Sequence, residues 1–285
     1  MSRVRYAKGL RDLENADRDA AEIVGQRIRR VRCTYETDSE VAQAVVPKPL
    51  EANVASEICV SFISMTKHMT PDVTIEVQFA HFGVRVDYDG KPGSYLLTVP
   101  MSSEREVHLG REQFGEPAKL AEIEFALDDS ASHSEGNVAP DSNAPASEEI
   151  GRLRASATRM GVCFLEATGK RLEELGPRSG IEYGYCFKAF PGCVPGKGFD
   201  HDPQLVRLEW NFDFTRVWRL EGEIQLTDSP FDPVADLPVR RIVDFEYAEG
   251  IMKRSGRALR PVPGDWLTPF IHQRYDEPEV EGVDI

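Results

Sequence analysis

Alternation of apolar and polar side chains is the sequence feature that most constrains the fold. Over residues 206–214 every second residue is large and apolar, and those between them are arginine, glutamate, asparagine and aspartate. A period of two is the repeat of a β-strand with one buried face, whereas an amphipathic helix repeats every 3.6 residues. Alternation recurs over residues 73–79, 84–88 and 218–226, so the chain is predicted to consist mainly of strands.

Turn signals between these strands indicate an antiparallel arrangement. Asp89-Gly90 is typical of a two-residue hairpin and precedes a further strand at residues 95–99. A helical period occurs in few places, chiefly residues 10–27 and 39–44. We therefore predict an α+β, mainly β fold: a curved antiparallel sheet or barrel with few helices, in a single domain spanning residues 1–285.

The charge balance and apolar content argue against several classes of partner. The chain has 285 residues, 41% of them hydrophobic, and a formal net charge of -14. So acidic a surface repels phosphate backbones and anionic lipids, and we expect no nucleic acid and no membrane as partner. No apolar run approaches the roughly 20 residues of a transmembrane helix. The basic start has no apolar segment after it, so we expect no signal peptide and a cytoplasmic location.

Cysteines and histidines are not spaced as metal ligands. The five cysteines are scattered and odd in number, with no CxxC pair, and the six histidines are equally dispersed. Nucleotide-binding patterns such as GxGxxG do not occur either. We therefore predict no disulfide framework, no metal and no cofactor.

Three segments stand apart from the strand pattern. Residues 128–149 are almost all small, polar or acidic and cannot bury enough apolar surface to offset their ordering entropy, so we predict a flexible insertion. Residues 261–285 are predicted to be a Pro-rich, acidic tail. Residues 27–32 are rich in arginine and predicted to be a strand with a solvated face. The alternative for that strand is a set of guanidinium groups aimed at an anionic substrate.

A polar, turn-forming segment at residues 110–120 lies between strands. It carries Arg111, Glu112, Glu116 and Lys119 together with two glycines and a proline. On composition alone, a surface loop with a few salt bridges is the simpler interpretation. A functional site is the other, because connections between strands often hold functional groups.

Several short segments share their order and spacing with a known family. They are Val45-Val46-Pro47-Lys48-Pro49-Leu50-Glu51, Gly93-Ser94-Tyr95-Leu96, Gly110-Arg111-Glu112, Pro117-Ala118-Lys119-Leu120, residues 152–161 and residues 237–243. Over about residues 30–255 the chain thereby resembles the acetoacetate decarboxylase family. The resemblance implies that family's curved sheet, a small carbonyl or carboxylate substrate and a homo-oligomer.

The resemblance also implies a chemistry in which a lysine amine condenses with a β-keto acid and the iminium accepts electrons as CO2 leaves. The family's nucleophile is the first lysine of a Pro-Lys-Lys-Leu unit; here that position is Ala118, followed by Lys119. Adjacent residues of an extended segment point to opposite sides, so Lys119 is expected to face away from the pocket unless the register shifts. The family's acidic residue on an earlier strand aligns with Phe79, and its arginine aligns with Ile28.

Three hypotheses about function follow. The first is an enzyme that acts on a keto-acid or polyketide-like carbonyl substrate by non-covalent acid–base chemistry, as a hydratase, dehydratase, cyclase or isomerase. In it Arg111 binds a carboxylate or enolate, and Glu112 or Glu116 acts as acid or base. For the site as a whole, the predicted catalytic residues are Lys119, Glu112, Glu116 and Arg111, and the predicted substrate-binding residues are Arg29, Phe79, His81, Tyr95 and Glu209. The second is a Schiff-base lyase, a decarboxylase or aldolase-dehydratase, that uses Lys119. The third is a non-catalytic binding protein on the same fold.

Overall fold

The structure, a computed structural model, describes residues 6–7, 9–11, 13–14, 25–70, 73–128, 151–194 and 196–277. Much of the predicted N-terminal helix, nearly all of the predicted insertion and the end of the predicted tail lie outside these residues. No helix within the described ranges is long and apolar enough to cross a membrane.

The described residues form a mainly β fold with short helices, which confirms the predicted fold class. The strands are β1 (Gln26–Glu36), β2 (Glu51–Ala52), β3 (Glu57–Thr70), β4 (Val73–Tyr88), β5 (Lys91–Met101), β6 (Ala118–Leu120), β7 (Glu122–Asp128), β8 (Arg152–Arg159), β9 (Val162–Glu174), β10 (Arg178–Lys188), β11 (Gln204–Leu226) and β12 (Arg241–Pro261). The α-helices are α1 (Ser39–Ala44), α2 (Glu104–Leu109) and α3 (Gly264–Leu267). A π-helical turn, Gly110–Phe114, follows α2, and 3-10 turns lie at Val234–Asp236, Thr268–Phe270 and His272–Tyr275.

Seven of these strands pair in a closed ring. The order is β10-β5-β4-β3-β1-β12-β11, and β11 pairs in turn with β10. Strands β9, β8 and β7 continue the sheet outward from β11. The ring encloses a space that is separate from the surface on which the outer strands pack.

The sheet is mixed, whereas the sequence predicts an antiparallel one. Strand β5 runs parallel to β6, and parallel to β10 through two residue pairs, Gly184 with Ser94 and Tyr185 with Tyr95. Parallel neighbours need a long connection instead of a hairpin. The helical segment of residues 104–114 supplies that connection between β5 and β6, and residues 102–177 supply it between β5 and β10.

Alternate side chains of the ring form an inner cluster. It consists of Ile28, Ile63, Met65, Val77, Phe79, Leu96, Val99, Met101, Ala118, Cys186, Leu208, Trp210, Phe212, Phe214, Val217, Ala248 and Met252. All seven ring strands contribute to it, so it lines the enclosed space. A second, outer cluster joins the opposite faces of the ring strands to α1, α3 and strands β7–β9.

Several predicted elements differ in the structure. The helix predicted over residues 10–27 is wrong at its end, because Gln26 begins β1. Strand β1 lies between β3 and β12 in the middle of the sheet. The solvated arginine face predicted there is therefore wrong for Arg30, which is 1% exposed.

Candidate active site

Gly115 fixes the path of the segment that the sequence singles out. The chain leaves the π-helical turn Gly110–Phe114, passes Gly115 with φ of +77° and reaches β6. A Cβ at position 115 would lie 2.5 Å from main-chain atoms of Lys188. Glycine suits this turn because it has no Cβ and tolerates positive φ.

Strand β6 places Ala118 and Lys119 on opposite faces of the sheet. Ala118 pairs with Val99 and Lys119 pairs with Pro100 of β5. Ala118 is fully buried in the inner cluster, whereas Lys119 lines a cavity outside the ring. Lys119 therefore faces away from the enclosed space, as period-two alternation predicts.

Glu116 lies on the same side as Ala118 and is fully buried. A Cβ on Gly110 would meet both the Glu116 carboxyl and the Ala118 methyl group, which places these two side chains together. Nη1 of Arg254 donates to the two Glu116 oxygens at 3.1 and 3.3 Å. Burial raises the pKa of the Glu116 carboxyl, although Arg254 acts in the opposite direction.

His81 adds a neutral imidazole to this region. Its ring centre lies 5.3 Å from that of Phe79 and 4.9 Å from that of Trp210, both of the inner cluster. Burial lowers the pKa of His81 to about 3, and the charges of Arg254 and Arg30 act in the same direction. Its Nε2 is buried and has no hydrogen-bond partner among the described residues, which leaves it free to bind a ligand atom. We call Glu116, Arg254 and His81 the inner polar cluster.

A second charged group inside the ring is centred on Arg30. Its guanidinium donates to Glu182 at 2.9 Å and to Glu246 at 3.1 Å. Its central carbon also lies 4.4 Å from the ring centre of Phe212 and 4.6 Å from that of Phe214. The two terminal nitrogens of Arg30 are thus paired with protein carboxylates, whereas its buried Nε has no hydrogen-bond partner among the described residues.

The cavity that Lys119 lines has a volume of about 940 Å3 and lies between the ring and the C-terminal turns. Nζ of Lys119 donates to the carbonyl oxygen of Phe231 at 2.6 Å and lies 2.8 Å from Asp276 and 3.4 Å from Asp232. Three acceptors thus match the three donors of an ammonium group. Tyr95 lines the same cavity, and burial raises the pKa of its hydroxyl.

Arg111, Glu112 and Glu116 do not converge on one cavity. Nη1 of Arg111 donates to the carbonyl oxygens of Ala118 at 3.2 Å and Arg274 at 3.0 Å. Glu112 is exposed to solvent. Of the three, Glu116 is the one whose side chain contacts Arg254 inside the ring.

The predicted substrate-binding residues are also divided between the faces of the sheet. Phe79 and His81 lie inside the ring and Tyr95 outside it. Arg29 is half exposed and pairs with Glu76 at 3.0 Å. Glu209 pairs with Arg207 at 2.7 Å, and in β11 it alternates with Leu208 and Trp210 of the inner cluster.

Comparison with known proteins assigns the chain to a family. The family model for acetoacetate decarboxylase matches residues 17–259. The protein therefore belongs to the acetoacetate decarboxylase family. An acetoacetate decarboxylase of Burkholderia mallei (strain NCTC 10229) is 27% identical over 220 residues, which cover 75% of this chain and 78% of that protein.

Solved structures of low sequence identity share the fold. A structure of acetoacetate decarboxylase gives a TM-score of 0.63 at 19% identity and covers 82% of this chain and 88% of that one. The enduracididine biosynthesis enzyme MppR, solved in complex with pyruvate, gives 0.62 at 15% identity and covers 83% of this chain and 90% of its own.

Proposed function

We propose that this protein is an acid–base enzyme that acts on a keto acid or related carbonyl compound inside the ring. The observation that carries the proposal is the ion pair between the fully buried Glu116 and the partly buried Arg254, 3.1 Å apart, with Glu116 next to Ala118. In this role Glu116 transfers a proton, Arg254 stabilises negative charge on a substrate oxygen, and Nε2 of His81 forms a hydrogen bond with the substrate.

Proton transfer beside a carbonyl group is the step that fits these groups. The Glu116 carboxylate takes a proton from the carbon next to the carbonyl, and the C–H electron pair forms a C=C bond while the carbonyl oxygen becomes an enolate. The Arg254 guanidinium stabilises that oxygen. Return of the proton to another carbon gives an isomerase, and loss of a neighbouring hydroxyl group as water gives a dehydratase.

The environment of Glu116 suits this exchange of protons. Burial raises the pKa of its carboxyl, which makes the carboxylate a stronger base and brings its titration closer to neutral pH. The buried surroundings also strengthen the interaction between Arg254 and an enolate, because little water screens it.

Ala118 is the reason to favour non-covalent chemistry. Its methyl group cannot form an imine with a carbonyl substrate, and the amine of Lys119 lies on the other face of the sheet. Because named relatives are acetoacetate decarboxylases and MppR was solved with pyruvate, acetoacetate and pyruvate are the first substrates to test.

Exchange of the pyruvate methyl protons with deuterated water, followed by NMR, tests the proposal. The protein is expected to accelerate the exchange, and Glu116→Gln to lower the rate by about 100-fold or more, the usual contribution of a general base. Glu112→Gln is the matched control, since Glu112 is in the same segment but exposed; its rate should not change. Undiminished exchange by a folded Glu116→Gln variant would refute the assignment.

A Schiff-base lyase that uses Lys119 is a second candidate, and the large cavity beside Lys119 favours it. This mechanism requires the amine to leave its contacts with Phe231, Asp232 and Asp276 and lose a proton. Incubation with acetoacetate or pyruvate followed by borohydride would then give a mass adduct that Lys119→Ala loses. Absence of an adduct with either compound would eliminate this candidate.

A binding protein without catalysis is the third candidate, because aromatic rings of Phe79, Trp210 and Phe212 crowd the inner face. Calorimetric binding of pyruvate without proton exchange or adduct formation would favour it. The expectation of a homo-oligomer is part of our proposal, and light scattering after size-exclusion chromatography measures the assembly.

A further inference from the structure

A groove of about 470 Å3 lies at one end of the ring, and its lining includes Phe114, Lys188, His201, Val206, Gly256 and Arg257. We call it the mouth groove. Lys188 is two residues from Cys186, and Val206 is two residues from Leu208. Cys186 and Leu208 belong to the inner cluster. Residues two apart in a strand share a face. The mouth groove is therefore continuous with the inner face of the ring.

The mouth groove is basic in a protein that is acidic overall. Lys188 and Arg257 line it, and no Asp or Glu belongs to its described lining. Neither cation has a carboxylate partner within 4.0 Å in the described part of the chain. The formal charge of the whole chain is -14, so the charges of Lys188 and Arg257 are opposite in sign to the net charge and favour a small anion at this groove.

The Phe114 side chain separates the mouth groove from the inner polar cluster. Phe114 lines the groove, and the guanidinium carbon of Arg254 lies 4.4 Å from the centre of its ring. The ring also packs on Gly256 so closely that a Cβ there would lie 2.5 Å from Cδ1 of Phe114. The aromatic ring thus covers the cation that pairs with Glu116.

We infer that Phe114 is a gate through which an anionic substrate passes from the mouth groove to Arg254. The inference rests on the proposed function of Glu116 and Arg254. Lys188 and Arg257 attract the substrate carboxylate, the Phe114 ring rotates away from Arg254, and an oxygen of the substrate takes the place of the ring beside the guanidinium.

The local backbone and the contact with Arg254 both suit a gate. Phe114 is the last residue of the π-helical turn Gly110–Phe114, and Gly115 follows it with positive φ. Single π-helical turns are frequent at functional sites. A charge-assisted hydrogen bond from Arg254 to an anion replaces a cation–π contact, so opening does not leave the partly buried guanidinium without this partner.

Fluorescence quenching tests the gate without any turnover. The chain has three tryptophans, and Trp210 is on the inner face, where it pairs with Arg254 across β11 and β12. In a protein with Trp218→Phe and Trp266→Phe, Trp210 is the remaining fluorophore. Iodide and acrylamide serve as the anionic and neutral quenchers. Phe114→Ala is expected to raise both quenching constants severalfold, and Phe114→Leu to raise them less.

Phe190→Ala is the matched control, because Phe190 also lines the mouth groove but contacts Lys188 and His201 instead of Arg254. It should leave the quenching of Trp210 unchanged. Adding Lys188→Met and Arg257→Met to Phe114→Ala should lower quenching by iodide but not by acrylamide.

Two results would overturn the gate. One is unchanged quenching in both folded Phe114 variants, and the other is an equal effect of Phe190→Ala. Since quenching needs no proton transfer, a negative result here combined with loss of exchange in Glu116→Gln would mean that the substrate takes another route to a correctly assigned site. The reverse pattern would leave the gate in place and remove the catalytic role.

Discussion

Nη1 of Arg254 lies 3.1 Å from Oε1 of Glu116, and this pair occupies the enclosed space of the ring beside Ala118. Glu116 is fully buried, whereas the Arg254 side chain is 24% exposed. A buried charge depends on its partner far more than an exposed one does.

Arg254→Met is therefore expected to lower the free energy of unfolding by about 3–5 kcal/mol, because it leaves the Glu116 carboxylate without a partner. The double variant with Glu116→Gln should recover most of that loss. Urea unfolding measures both. The control is Arg219→Met, whose partner Glu173 is exposed; it should cost at most about 1 kcal/mol. Equal losses in Arg254→Met and Arg219→Met would contradict the prediction.

The raised pKa of the Glu116 carboxyl should be visible in how the free energy of unfolding depends on pH. Its pKa in the folded state is raised above the ordinary value of 4.5, so the folded protein holds this proton at pH values where the unfolded chain has released it. The free energy of unfolding accordingly falls as pH rises from 4.5 through the folded-state pKa. Glu116→Gln removes this decline. Urea unfolding from pH 4.5 to pH 8 checks it, and parallel curves for both proteins would count against a raised pKa.

His81 should make the free energy of unfolding fall as pH decreases, which is the opposite of the effect of Glu116. Its pKa falls from 6.5 to about 3 on folding, so the unfolded chain binds the proton first as pH decreases and stability is lost below pH 6.5. The loss is about 2 kcal/mol between pH 6.5 and pH 5, and His81→Phe should abolish it. NMR of the His81 ring gives an independent measurement, in which an inflection near pH 6.5 in the folded protein would show the prediction to be wrong.

Gly115 and Gly161 allow steric crowding to be separated from backbone conformation. Both have positive φ, +77° and +80°, but a Cβ at position 115 meets the Lys188 main chain at 2.5 Å, whereas one at position 161 meets nothing within 4 Å. Gly161→Ala should cost about 1 kcal/mol of unfolding free energy through φ alone. Gly115→Ala should cost more and also reduce catalysis by displacing Glu116. The comparison fails if the two variants are equally stable.

The strand architecture could be read from the sequence because alternation depends on neighbours in the chain. Over residues 206–214 the apolar positions 208, 210, 212 and 214 belong to the inner cluster. The parallel pairing of β5 with β10 could not be read in this way. It joins residues that are far apart in sequence, and no local turn signal reports it.

The ion pairs inside the ring could not be predicted from the sequence for a related reason. Arg254 pairs with a residue 138 positions away, and Arg30 with one 216 positions away. In a single strand, an arginine that alternates with other residues looks the same whether it faces water or a distant carboxylate. The contact between Arg254 and Glu116 becomes visible only in the folded ring, where these distant parts of the chain meet.

The sequence marks residues 110–120 as a candidate site, but it does not tell which of their side chains point into the ring. The π-helical turn and Gly115 direct Arg111 toward the Ala118 and Arg274 carbonyls, leave Glu112 in solvent and turn Glu116 inward. The backbone conformation of this tight turn decides where each side chain points, and amino-acid composition does not specify that conformation.

The ladder between β5 and β10 is the shortest of the seven that close the ring in the described residues. Two residue pairs and the hydrogen bond from the Tyr185 hydroxyl to the Lys91 carbonyl at 2.8 Å hold this seam, while β11 and β12 pair from Gln204 to Arg219. Fewer hydrogen bonds make separation at the seam less costly than at any long ladder. We therefore expect β5 and β10 to be the first neighbouring strands of the ring to separate.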